Sequence, residues 1–247
     1  MCRLIVYFLL VIFPALELYA QAEVKNDILF SLQRHTYIEG DKSISIGMRN
    51  TENSAYLVQT MMTWLDESSG VKQLTKEDAI PFIVTPPLNR FEPGQYYDWR
   101  IIFSGNSTLL AKDRESVFLA KFVLIPASNK AVKNTSDMAV LRALTFKIYY
   151  RPKTLKSLKI ENVQDKISFR HDGNKLIVKN DSPLYLMLDK VSVGNIAIDS
   201  NELFKPLIPF SEQTIMLPEN IGVVNEVEWN LLDEFAFSLE KRISKLN

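Results

Sequence analysis

The stretch "FKIYYRP", residues 146–152, reads as the end of a β-strand. With Leu144 before it, Phe146, Ile148 and Tyr150 alternate on one face, as a half-buried strand requires. Lys147 stands on the opposite face in mid-strand, and Arg151-Pro152 stops the run. Working outward, the same short alternations recur in "SISIGM" (43–48), "AYLVQTMMTWL" (55–65) and "VFLAKFVLI" (117–125). Turn-rich connections separate them: "EGDK", "ESSG", "TPPLNRFEPG" and "ASNKAVKNTSD". Strands of this length and spacing, with prolines in the connections, imply an all-β sandwich architecture. Only "LLDEFAFSLEKRISKL" (231–246) has a periodicity that would also suit a helix.

Past Pro152 the chain turns polar, in "KTLKSLKIENVQDK", and then resumes strand patterns. "ISFRHDGNKLIVKND" suits two strands around an Asp-Gly turn, followed by "LYLMLDKVSV", "QTIMLP" and "VEWNLL". Two domains are therefore expected, residues 23–152 and 153–247, meeting near Pro152. Residues 1–22 have the form of a signal peptide. Arg3 precedes an apolar run, Leu4–Leu16, too short for the ~20 residues of a membrane span. Ala20-Gln-Ala22 then offers a small-residue cleavage pattern. An exported chain with no membrane insertion of its mature part is the expectation. The single cysteine, Cys2, lies inside that signal, so the mature chain relies on core burial rather than disulfides.

Lys plus Arg and Asp plus Glu number 29 each, which gives no electrostatic pointer to nucleic acid. Signals of catalysis are poor. The two histidines, His35 and His171, belong to no His-Glu-x-x-His zinc helix, and there is no Gly-x-Ser-x-Gly elbow and no phosphate loop. "DRES" (113–116) brings two carboxylates close together, but an ion-paired turn entering a strand explains it more simply than acid/base work. No enzyme, cofactor or metal is implied.

Several segments, taken in order, resemble one family: the periplasmic pilus (fimbrial) assembly chaperones of the chaperone–usher pathway. "YIEGDKSISIGMRN" (37–50) is similar to that family's first hairpin, and "AYLVQT" with Trp64 to its Tyr-Leu-x-Gln…Trp segment with residues inserted. "PFIVTPPLNRFEPG" (81–94) resembles the Pro-Pro-x-x-Arg-x-x-Pro-Gly signature. "DRESVF" (113–118), Ile125-Pro126, "KIYYRP" (147–152) and "NDSPLY" (180–185) follow in the family's order. Each piece is weak alone; their collinearity along nearly the whole chain is specific.

The resemblance implies two immunoglobulin-like β-sandwich domains set in an L around an interdomain cleft. It implies binding of pilus subunits by β-strand donation and delivery to an outer-membrane usher. Such a strand adds backbone hydrogen bonds and places alternate side chains in the partner's pockets. Lys147 and Arg34 would then be the cleft cations that hold the subunit's terminal carboxylate. Glu115, Arg151 and Asp233 would form an interdomain ionic network, with Glu226 the fallback for Asp233. The donor strand would lie near residues 137–151. Counting back from Lys147 puts the alternating donor positions on Met138, Val140 and Arg142. The arginine breaks that pattern, so Leu141 is a further candidate and a bulge or shift near 141–143 is expected. A structural pilus subunit or adhesin built from similar sandwiches is the alternative, and it would call for a donor extension and usually a disulfide. Self-association of the free protein is left open by the sequence.

Overall fold

The computed structural model describes residues 27–66, 71–72, 80–127, 141–194, 196–218 and 224–246. The signal peptide, Met138 and Val140 lie outside the described residues. The first domain is built from β1 (Ile28–Phe30), β2 (His35–Ile38), β3 (Ile44–Asn50), β4 (Tyr56–Asp66), β5 (Val71–Lys72), β6 (Phe82–Thr85), β7 (Leu88–Phe91), β8 (Tyr96–Phe103), β9 (Ser116–Pro126) and β10 (Arg142–Arg151). One sheet has the order β1-β3-β8-β6; the other runs β2-β10-β9-β4, with β5 and β7 pairing along β4. The chain thus changes sheets between Phe30 and His35. β1 pairs antiparallel with β3, whereas β2 pairs parallel with the end of β10.

Between the two sheets lie Trp99, Phe91, Phe118, Phe122, Ile46 and Met48, all essentially inaccessible to water. The alternation read from "FKIYYRP" holds: Phe146, Ile148 and Tyr150 enter this core, and Leu144 packs at its edge. "VFLAKFVLI" buries both faces at one end. Phe118, Ala120 and Phe122 face the core, while Val117 and Leu119 join Leu65, Tyr149 and Tyr185 of the "NDSPLY" loop in a separate apolar cluster where the domains meet.

Two 3-10 turns, Lys153–Leu155 and Ile160–Lys166, lead to the second set of sheets. Its strands are β11 (Ile167–Asp172), β12 (Lys175–Asn180), β13 (Leu188–Val193), β14 (Ile196–Ala197), β15 (Ser211–Met216), β16 (Glu226–Leu231) and β17 (Arg242–Lys245). They form the sheets β11-β12-β15 and β14-β13-β16-β17 over a core around Trp229, Leu176 and Val178. The Asp-Gly signal is a hairpin turn, with Gly173 at φ +61° between Asp172 and its partner Lys175. The helical alternative for 231–246 is not what forms. The Asp233 carboxylate accepts the N–H groups of Phe235 and Phe237, turning the chain so that β17 returns along β16. Trp229 Nε1 fastens this return by donating to Ser244 Oγ at 2.9 Å.

Candidate functional site

A cavity of about 780 Å³ opens between the two domains. One wall is the outward face of the β9–β10 pair, carrying Leu119, Lys121, Thr145, Lys147 and Tyr149; the other carries Met187, Asp189 and Phe204. Arg34, from the segment between β1 and β2, also lines it. Lys147 therefore faces an interdomain cleft because its strand neighbours, Phe146 and Ile148, are taken by the core.

Lys147 Nζ lies 4.5 Å from the centre of the Phe204 ring and 3.5 Å from the Phe204 carbonyl oxygen. It pairs with no carboxylate among the described residues. Burial strips its water, and the nearby Arg34 charge adds to the effect, so its pKa is lowered to about 8.

Arg34 is held on every side. Its guanidinium stacks over Tyr149 at 3.4 Å from the ring centre, Nη1 donates to the Tyr185 carbonyl at 2.9 Å, and Nη2 donates to Glu115 Oε2 at 2.5 Å. Its backbone N–H donates to the Glu234 carbonyl at 2.8 Å. Its Nε–H is buried and has no partner among the described residues. A buried unmet donor of this kind costs roughly 1–3 kcal/mol, which an incoming anion would relieve.

Glu115 is the centre of the domain junction and only 1% exposed. Oε1 accepts Arg151 Nε at 2.8 Å, and Oε2 accepts Arg34 Nη2 and the Tyr185 N–H, the latter at 2.9 Å. The loop that delivers Tyr185 is shaped by Asn180. Its Nδ2 donates to the carbonyls of Leu184, Leu207 and Ile208, and its Oδ1 accepts from Ser182. Asn50 ends β3 in the same manner, donating to Ser54 and Phe91 and accepting from Glu52.

The expected network needs one correction. Glu115 and Arg151 meet, but Asp233 does not join them, because its carboxylate is used by its own turn. The fallback Glu226 is exposed on β16, and no ion pair links it to Glu115 or Arg151 among the described residues. Arg34 takes the third place, so one residue serves both the cleft and the junction. Sequence reading also missed Glu234, whose Oε1 accepts the Ile160 N–H while its carbonyl holds Arg34. Nothing in the sequence distinguishes Glu234 from its acidic neighbour.

Among the described residues, β10 has an open edge. β9 pairs with it from Arg142 to Tyr150 without a register shift, while β2 covers the other side only from Ile148 to Arg151. The bulge expected near 141–143 is absent from this described part. Leu141, Ala143 and Thr145 are exposed, and Leu141 is the large apolar one, 56% exposed. Arg142 points away from them, donating to Glu52 Oε1 at 2.5 Å and to the Tyr56 hydroxyl at 2.8 Å.

Residues 30–156 match the family model described as pili and flagellar-assembly chaperone, PapD N-terminal domain, and residues 162–235 match pili assembly chaperone PapD, C-terminal domain. The chain belongs to the pilus-assembly chaperones. The chaperone is 31% identical over 216 residues to chaperone protein FimC of Escherichia coli K12, covering 86% of this chain and 82% of that one. It is 29% identical over 237 residues to chaperone protein LpfB of Salmonella typhimurium, covering 94% of each. Among solved structures it resembles a chain of the Salmonella enterica SafA pilin–SafB chaperone complex, with a TM-score of 0.74 and 26% identity over 89% of this chain and 96% of that one. The E. coli chaperone DraB shares the fold, with a TM-score of 0.72 at 23% identity over 90% of this chain and 97% of that one. Two immunoglobulin-like sandwiches are thus the family's architecture and this chain's.

Proposed function

We propose that this chaperone captures an incomplete pilus or fimbrial subunit in the periplasm, caps it by donating β10, and hands it to an outer-membrane usher. On this reading the signal peptide ends at Ala22, and the domains divide at Pro152. The donated segment runs from about residue 137, including Met138, Val140 and Leu141, to the open edge of β10. A strand edge left unpaired invites another strand, and here an exposed apolar side chain accompanies it. Arg34 and Lys147 fix the register by binding the subunit's terminal carboxylate.

The observation that carries this reading is one cavity lined by both cations. Lys147 lacks a counter-anion among the described residues, and Arg34 keeps a buried, unpartnered Nε–H. A carboxylate there would receive charge-assisted hydrogen bonds, each worth roughly 1.5–3 kcal/mol. The test is co-purification from periplasm: a small subunit should accompany the wild-type chaperone and dissociate only on denaturation. Its equal recovery with a carboxylate-blocked subunit, bearing a terminal amide, would sink the anchor.

A further inference from the structure

We propose that Lys121 is a specificity residue that selects subunits with an acidic side chain one outward-facing position before the carboxyl terminus. The inference rests on the carboxylate reading of Arg34 and Lys147. Lys121 sits in the middle of β9, a strand whose other side chains at this level are apolar. Its register neighbours are Thr145 on β10 and Met61 on β4, and those of Lys147 include Leu119. Lys121 and Lys147 therefore occupy successive cross-strand rows of one face, about 6.6 Å apart along the strands. Both line the same cavity. Lys121 has no ion-pair or hydrogen-bonding partner among the described residues, unlike Lys112, Lys179 and Lys241, which pair with Glu39, Asp181 and Glu228.

A strand added to the open edge of β10 with its terminus at Lys147 passes Thr145 one row earlier. It lies about 4.8 Å beyond β10 and about 9.6 Å from β9. Thr145 is short and exposed, so nothing tall stands between Lys121 and that strand. A lysine and a glutamate leaning over Thr145 span the gap; an aspartate reaches it less well. Because side chains alternate along a strand, only one parity of the partner's last residues meets this face. The ion pair would add selectivity more than affinity, as partly exposed pairs do.

The experiment uses host peptides of neutral residues with a free carboxyl terminus, in which one Glu or one Gln is walked through the last four positions. Binding to the intact chaperone is measured at low salt. The expected result is a Glu-over-Gln preference of about three- to tenfold at the single outward-facing position level with Thr145, lost at high salt. In Lys121→Gln the preference should fall to about one, Lys121→Arg should retain it, and Lys121→Glu should invert it toward a Lys-bearing peptide. Lys147→Gln should weaken both peptides together and keep their ratio. A preference that is absent, or equal at all four positions, or unchanged in Lys121→Gln, overturns this inference alone. Failure of every free-carboxylate peptide to bind better than its amide overturns the carboxylate reading, and this inference with it.

Discussion

Arg34 Nη2 meets Glu115 Oε2 at 2.5 Å, so a residue facing the cleft is also a strut of the domain junction. The two roles make Arg34 and Lys147 unequal. Glu115→Ala leaves the Arg34 and Arg151 guanidiniums buried without their shared anion and should destabilise the free protein by about 3–5 kcal/mol. Arg34→Ala leaves Glu115 with Arg151 and the Tyr185 N–H and should cost about 1–3 kcal/mol. Chemical denaturation of the purified variants gives the order directly. An Arg34→Ala protein as stable as wild type would mean that the junction does not depend on this contact.

Lys147 should behave in the opposite way. Its folded pKa is about 8, against an ordinary value of 10.5. Between those values the unfolded chain binds more protons than the native one, so this lysine's penalty is full below pH 8 and fades as pH rises toward 10.5. Lys147→Met should therefore stabilise the free chaperone at pH 7, by on the order of 1–3 kcal/mol, and by less at pH 10. Subunit capture should fall sharply in the same variant. Binding of a free-carboxylate peptide to the wild type should weaken above pH 8, as the ammonium is lost. A variant that is both less stable and still able to capture its subunit would defeat the anchor.

Legibility from sequence divided along physical lines. The strand alternations, the two sandwiches and the Lys147 face were readable because period-two burial is local. Glu115 and Arg151 were found through "DRES" and "YYRP". The third member of their network was not. Asp233 and Glu234 are adjacent acids, and only the turn geometry decides that the first caps its own loop while the second reaches Ile160 and Arg34. The expected bulge or shift does not occur in the described run from Arg142 to Tyr150, for a related reason. Arg142 looked misplaced for a donor position, whereas it faces inward and ends on Glu52 and Tyr56.

Asn180 should prove as important to the junction as the charges. Its side chain is buried and satisfies three carbonyls together with Ser182. Asn180→Ala strands those carbonyls and should destabilise the protein by about 2–4 kcal/mol. It should also loosen Tyr185, so combining it with Glu115→Ala should cost about 1 kcal/mol less than the sum. Strict additivity in a double-mutant cycle would show that the loop and the network are independent.

The donor face gives the last prediction. Leu141, Ala143, Thr145 and Lys147 share the outward face of a strand whose pairing with β9 is unbroken from Arg142 to Tyr150. If this edge is donated, Leu141 is its large apolar plug, and Leu141→Asp puts a charge into the partner's apolar groove. Burying an unpaired charge there is costly enough to lower capture by tenfold or more. Arg142→Leu should instead leave capture intact, since that side chain is turned toward Glu52 and Tyr56; its cost should be a modest loss of stability from the broken ion pair. Met138→Asp and Val140→Asp complete the scan: by alternation they share the face of Arg142, so with no register change before Leu141 they should spare capture, and their loss of capture would place the donated face there. The measurement is subunit recovered per chaperone from periplasm, with thermal stability of each variant as the control. Full capture by Leu141→Asp together with loss in Arg142→Leu would show that the donated face is the other one.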